Sequence, residues 1–162
     1  MTTDGRPDAG GDQSPLRQNY RGASELLVLV KRWGQRTMPA TVLCAFKELE
    51  EEYDALLDTA SQFCVMRADV GEVLGLDPDV QPRQQLTTLD GTIEGALHKH
   101  TVCLRAIIGE DVAVEASWLV SRDWRGPIVL GWMGFLQSIA FGCDPGVTLD
   151  DVGTFYFAPL SC

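Results

Sequence analysis

The stretch Ala55-Leu56-Leu57-Asp58-Thr59-Ala60-Ser61-Gln62-Phe63-Cys64-Val65-Met66 places one acidic residue inside an otherwise apolar segment. Three apolar residues lead into Asp58, and the β-favouring run Phe63 to Met66 follows it. The pattern predicts two strands joined by a small-residue elbow at Thr59-Ala60-Ser61. An ionised carboxylate among apolar residues is costly without a partner, so a chain that keeps one there neutralises it, pairs it or uses it.

Working outward, the chain's 162 residues fit one domain with a real core. Hydrophobic residues at 45% and charged residues at 22% belong to a globular protein and exclude wholesale disorder. No apolar run reaches the roughly 18 residues needed to span a bilayer, and Leu26 to Val30 is too short and too far in for a signal-peptide core. Neither membrane nor secretion is expected. The net charge is −10. Residues 1–36 carry six Lys/Arg against four Asp/Glu, and residues 37–162 carry seven against nineteen. A surface so acidic repels phosphates, so nucleic acid is not an expected partner. The basic cluster Lys31, Arg32 and Arg36 reads as a solvated rim. Five cysteines, at 44, 64, 103, 143 and 162, are odd in number and form no close pair. They point to reduced thiols and a cytoplasmic protein, with Cys44, Cys64 and Cys103 as core fillers.

Residues 1–24, with four Gly and two Pro and no apolar periodicity, read as a flexible tail before a domain at 25–162. Glu25 to Trp33 predicts a first strand. Ala40 to Phe46 and Tyr53 to Asp58 predict a hairpin around the acidic turn 47–52, although the glutamates there also suit a helix. Ala68 to Leu74 predicts a short helix that Gly75 stops. Gln85 to Leu89, the Asp90-Gly91 turn and Thr92 to Leu104 predict a long hairpin. Further strands are expected over 106–108, 112–120 and 128–130, a helical turn over 134–139, and an aromatic strand at Gly153 to Phe157. No period of 20 to 50 residues repeats. The fold class is all-β, a closed barrel or sandwich with little helix.

His98-x-His100 with Cys103 invites a zinc reading, but on a strand Cys103 has the wrong parity and no fourth ligand is in sight. The plain alternative is two exposed strand histidines. Ser61 and Ser117 lack the Gly-x-Ser-x-Gly setting of a nucleophile elbow, and no Gly-rich phosphate loop occurs. No metal and no cofactor are expected.

Asp58 has a setting that matches a mechanism. Paired aspartates hydrolyse a peptide bond when two carboxylates lie close enough to share one proton, one acting as base on a water and the other as acid toward the carbonyl. Such a site wants a rigid, dry elbow, a hydroxyl to brace it, which Thr59 can supply, and a small residue such as Ala60 where backbone N–H groups approach the carboxylate.

Tyr53 to Ser61 resembles the active-site segment of retropepsin-like aspartic proteases, whose hallmark is Asp-Thr/Ser-Gly after an apolar strand. Two further matches follow in the same order. Asp90-Gly91-Thr92-Ile93-Glu94-Gly95 resembles the family's glycine-containing flap, and Pro127-Ile128-Val129-Leu130-Gly131 with Phe135-Leu136-Gln137 resembles the apolar-apolar-Gly motif before its short C-terminal helix. The resemblance covers residues 25 to 157 and implies a single-domain, bacterial-type member with one lobe per chain. It departs from the pattern at Ala60, where the family has glycine, and at Trp132, where many members carry arginine.

One Asp-Thr-Ala segment encodes one lobe, so the resemblance implies a C2 homodimer in which Asp58 faces its own copy. Implied catalytic residues are Asp58, Thr59 and Ala60. Implied flap and floor residues, which would hold an extended peptide, are Leu89, Asp90, Gly91, Thr92, Ile93, Val129 and Leu130. Phe155, Tyr156 and Phe157 would pair at the dimer interface. The implied activity is that of an aspartic endopeptidase. The alternative is a family member without catalysis that serves as a peptide-binding or dimerisation module, and a third reading is an unrelated β domain in which Asp58-Thr59 is an ordinary strand-end turn.

Overall fold

The computed structural model describes residues 20–28, 31–32, 35–36, 40–88, 91–144 and 153–160. In chain order the strands are β1 (Gly22–Val28), β2 (Lys31–Arg32), β3 (Gln35–Arg36), β4 (Ala40–Ala45), β5 (Glu52–Asp58), β6 (Cys64–Arg67), β7 (Arg83–Thr88), β8 (Gly91–Leu104), β9 (Ile108–Gly109), β10 (Val112–Ser121), β11 (Ile128–Gly131), β12 (Ile139–Asp144) and β13 (Gly153–Pro159). Among the described residues helix is confined to α1 (Ala68–Val73), between β6 and β7, and one 3₁₀ turn, Leu136–Ser138. The all-β class is as the sequence predicts, and so are the hairpin around residues 47–51 and the helix before Gly75, whose φ of 75° suits a residue without Cβ.

A barrel closes around six of these strands. Neighbouring pairs run β4–β5–β11–β6–β10–β8, and β8 returns to β4 through Cys44 opposite Leu104 and Ala45 opposite Cys103. Closure removes the exposed edges that an open sheet would present. Two pairs in the ring are parallel, β5 with β11 and β6 with β10. Parallel neighbours need a crossover rather than a tight turn, and this is what brings residues 58 and 131 together from distant parts of the chain.

Periodicity along the strands follows what covers them. In β10, Val112, Val114 and Ala116 are buried while Ala113 and Glu115 are exposed, the alternation of a sheet with one wet face. From Trp118 to Ser121 every residue is buried. The second face is covered there: Trp118 and Val120 join the main core, and Leu119 joins a smaller apolar cluster. β11 behaves in the same way, with Ile128 and Leu130 in the main core and Val129 in the smaller cluster.

Beyond the barrel the sheet continues from β4 through β1 and β13 to β12. β1 starts at Gly22, ahead of the expected domain start at 25, because residues 22–26 pair with β13 from Phe157 to Gly153. Strand β12, at the end of this extension, was not expected. It pairs along its length with β13, Ile139 opposite Pro159 through Asp144 opposite Thr154. The aromatic strand is therefore hydrogen-bonded on both sides within its own chain. Phe155, Tyr156 and Phe157 are buried there, and Phe141 stacks on Phe155 with ring centroids 5.8 Å apart. The sequence reading places these three residues at a dimer interface; within the chain itself they are buried and their strand is paired on both edges.

Candidate active site

β5 delivers Asp58 to the end of a strand, and the residues that follow turn sharply. Ser61 N–H donates to Asp58 O at 3.2 Å, closing the turn. Ala60 N–H donates to Asp58 Oδ1 at 2.9 Å, so the carboxylate is held by the backbone two residues on. Ser61 Oγ then donates to Phe63 O at 2.7 Å and braces the way into β6. Asp58 is half-buried rather than enclosed, and Thr59 and Ala60 are exposed. The dry elbow expected from the sequence is thus open on one side, and the brace within this chain comes from Ser61 rather than Thr59. At Ala60 the methyl lies on an exposed turn and the N–H contact to the carboxylate is made.

The floor of the elbow is the Gly131 segment. Gly131 lies opposite Asp58 in the parallel β5–β11 register, following Leu130 opposite Leu57. A Cβ at 131 would overlap the carbonyl oxygen of Phe63 and crowd that of Ser61, so only glycine lets the two backbones approach. Past the glycine, Trp132 N–H donates to Ser61 O at 2.8 Å and Met133 N–H to Gln62 O at 3.0 Å. Cys64 sits below, wholly buried, and burial pushes its thiol up to about 12. It is a neutral filler at this site, not a nucleophile.

The hairpin β7–β8 holds the stretch that the sequence reading likens to a flap. Pairing runs from Arg83 opposite Ala96 to Thr88 opposite Gly91, which has a φ of 131°. Leu89 and Asp90, assigned to its tip, lie outside the described residues. Gly91 and Thr92 are exposed, and Ile93 is buried with Val65, Leu119 and Val129, a cluster against which Leu56, Phe63, Leu86 and Trp124 pack. Apolar contact thus links the hairpin to the strands on either side of the elbow. Of the two residues that the sequence reading gives to the floor, both buried, Val129 belongs to this cluster and Leu130 to the main core. Adjacent strand residues face opposite ways, so the pair could not both line one cleft.

Other residues at the site escaped the sequence reading. Buried Ser121 donates through Oγ to Glu94 O at 2.7 Å and accepts from Asp123 N–H at 3.1 Å, while Asp123 Oδ2 accepts from Glu94 N–H at 3.3 Å. These bonds fix the base of the hairpin to the end of β10. Gly95 beside them has no room for a Cβ, which would meet the carbonyl oxygen of Val120. The histidines serve structure: His98 Nε2 lies 2.7 Å from Asp77 O and His100 Nε2 lies 3.1 Å from Glu48. Both are half-buried, not exposed, and each ties a loop to β8. Among the described residues no group of three His, Cys, Asp or Glu is placed to hold a metal ion.

With this geometry in place, comparison with known proteins is informative. Residues 44–115, a little under half of the chain, match a protein family described as aspartyl protease. The matched segment carries Asp58 and the β7–β8 hairpin and ends before Gly131. Among solved structures, the chain is similar to the retroviral protease-like domain of Ddi1 from Leishmania major, with 18% identity, a TM-score of 0.48, and coverage of 76% of this chain and 97% of that one. No curated protein matches the sequence. Among the described residues no helix is long and apolar enough to cross a membrane.

Proposed function

We propose that the chain is an aspartic endopeptidase that acts as a homodimer, with the Asp58 carboxylates of two copies facing each other across a two-fold axis. The observation that carries this reading is the elbow. Asp58 ends a barrel strand, its Oδ1 is held by Ala60 N–H, and Gly131 closes the floor opposite it. One chain offers one carboxylate on an open turn, and the chemistry needs two. When two carboxylates come within hydrogen-bonding reach, they cannot both ionise, so the pair keeps one proton. The ionised member takes a proton from water, the water oxygen attacks the scissile carbonyl, and the protonated member gives its proton to the carbonyl oxygen. Collapse of the tetrahedral intermediate expels the amine, which takes up a proton from the pair.

The substrate in this reading is a peptide bound in extended form beneath the β7–β8 hairpin, hydrogen-bonded like an added strand. Gly91, Thr92 and the partly buried Leu56, Phe63 and Leu86 supply its surroundings. Unpaired Cys44, Cys64, Cys103 and Cys143 fit a reducing compartment such as the cytoplasm. The test is cleavage of a peptide library at mildly acidic pH by wild type and Asp58→Asn. Loss of all cleavage in the variant, with folding intact, is expected. Equal cleavage by both proteins would overturn the assignment.

A further inference from the structure

We propose that the open pocket lined by Arg67, Arg122 and Arg125 binds an oxyanion, a carboxylate or phosphate group, with Arg125 as its principal ligand. The pocket encloses about 420 Å³, and Ala68, Asp69 and Glu72 complete its lining. It is built by the end of β6, by α1 and by the residues that follow β10. Asp58 is not among its lining residues, so the pocket stands or falls separately from the activity proposed above.

Charge pairing singles out Arg125. Among the described residues between 48 and 144 there are six Lys or Arg. Arg67, Arg83, Lys99, Arg105 and Arg122 each form an ion pair with a carboxylate. Arg125, which is exposed, forms none among the described residues. In a chain with 23 Asp and Glu against 13 Lys and Arg, carboxylates are plentiful, yet this guanidinium keeps its donors open.

The surroundings of Arg125 are already set. Arg67 grips Asp69 with two bonds, Nε to Oδ1 at 3.0 Å and Nη2 to Oδ2 at 2.8 Å. Arg122 Nη2 lies 2.7 Å from Glu72 Oε1 and 3.0 Å from Asp79 Oδ2. Both carboxylates of the lining are thus neutralised by an arginine, and the third guanidinium leaves positive charge unbalanced. The loop that carries it is held as well: Trp124 Nε1 donates to Pro127 O at 2.7 Å, Trp124 packs against the smaller apolar cluster, and Asp123 N–H donates to Ser121 Oγ at 3.1 Å. A guanidinium offers a planar fork of donors that matches two oxygens of a carboxylate or phosphate, and a fixed backbone lowers the cost of ordering it. The net charge of −10 repels anions at long range, so short-range contacts must supply the affinity and added salt must weaken it.

Two sources carry this chemistry, a free anion and an acidic side chain of a bound peptide. Inorganic phosphate and, separately, the end-blocked peptide Gly-Gly-Glu-Gly-Gly are titrated into isotopically labelled protein at constant ionic strength, with the arginine Nε–H and backbone amide resonances followed by NMR. Saturable shifts at residues 67–72 and 122–126 are expected in the wild type. Arg125→Ala is expected to weaken binding about tenfold or more, and Arg125→Lys, which keeps the charge and loses the fork, to fall between the two. Saturation by phosphate identifies a free anion, and saturation by the Glu peptide but not by its Gln counterpart identifies an acidic side chain; either supports the pocket. Shifts that saturate with neither probe, or that are the same in Arg125→Ala, would overturn it.

Discussion

The elbow at residues 58–63 and the β7–β8 hairpin both belong to the barrel, and their backbones are crowded to different degrees. Backbone hydrogen bonds from residues 60, 61, 132 and 133 fasten the elbow, and a Cβ at Gly131 has no space. At Gly91 a Cβ would meet nothing within 4 Å. On the hairpin, Thr88 Oγ1 donates to Gly91 O at 2.9 Å, Ile93 and Leu86 pack in the smaller apolar cluster, and Ser121, Asp123 and Gly95 hold residue 94 against β10. The contrast suits the proposed chemistry: a carboxylate that exchanges protons must stay placed to within a few tenths of an ångström, whereas a cover over a peptide must open and close.

Substitutions can break or sharpen this contrast. The largest effect is expected at the elbow. Gly131→Ala forces the Phe63 and Ser61 carbonyls apart and should destabilise the fold by about 3 kcal/mol, measured by urea denaturation, with peptide cleavage lost. At the hairpin base, Ser121→Ala leaves the Glu94 carbonyl without its buried donor. A loss of about 1–2 kcal/mol is expected, together with a raised KM and a smaller change in kcat. Gly91→Ala meets no packing clash but places a Cβ on a backbone of positive φ. It should cost about 1 kcal/mol, and its mark on cleavage should exceed its mark on stability. Smallest of all is Ala60→Gly. Since Ala60 N–H already reaches Asp58, restoring glycine should change stability by about 1 kcal/mol or less and cleavage by less than about tenfold. A gain in cleavage far beyond that would show that the methyl at 60 disturbs the elbow.

What could be read from the sequence was local. The Asp58 elbow, the β4–β5 hairpin, the helix ended by Gly75 and the hairpin entering at Gly91 each depend on residues a few positions apart, and turn chemistry marks them. The misreadings are long-range. β13 looks orphaned in sequence because one of its partners, β1, lies at the other end of the chain, and β12 is masked by Gly142 and by half-buried residues without clear alternation. Ser121 gives no signal as a flap support, since its acceptor at residue 94 is brought near only by the β8–β10 pairing. Leu130 neighbours Val129, and the period of two, legible in the sequence, sends the pair to opposite faces of β11.

In the proposed enzyme, Asp58 is half of a site completed by a second copy. The measurement that tests it most directly is the binding stoichiometry of a peptide carrying a secondary hydroxyl in place of the scissile carbonyl, titrated calorimetrically into wild type and Asp58→Asn. One peptide bound per two chains of wild type, with binding lost in the variant, is the predicted result. One peptide per chain, or binding that survives Asp58→Asn unchanged, would contradict it.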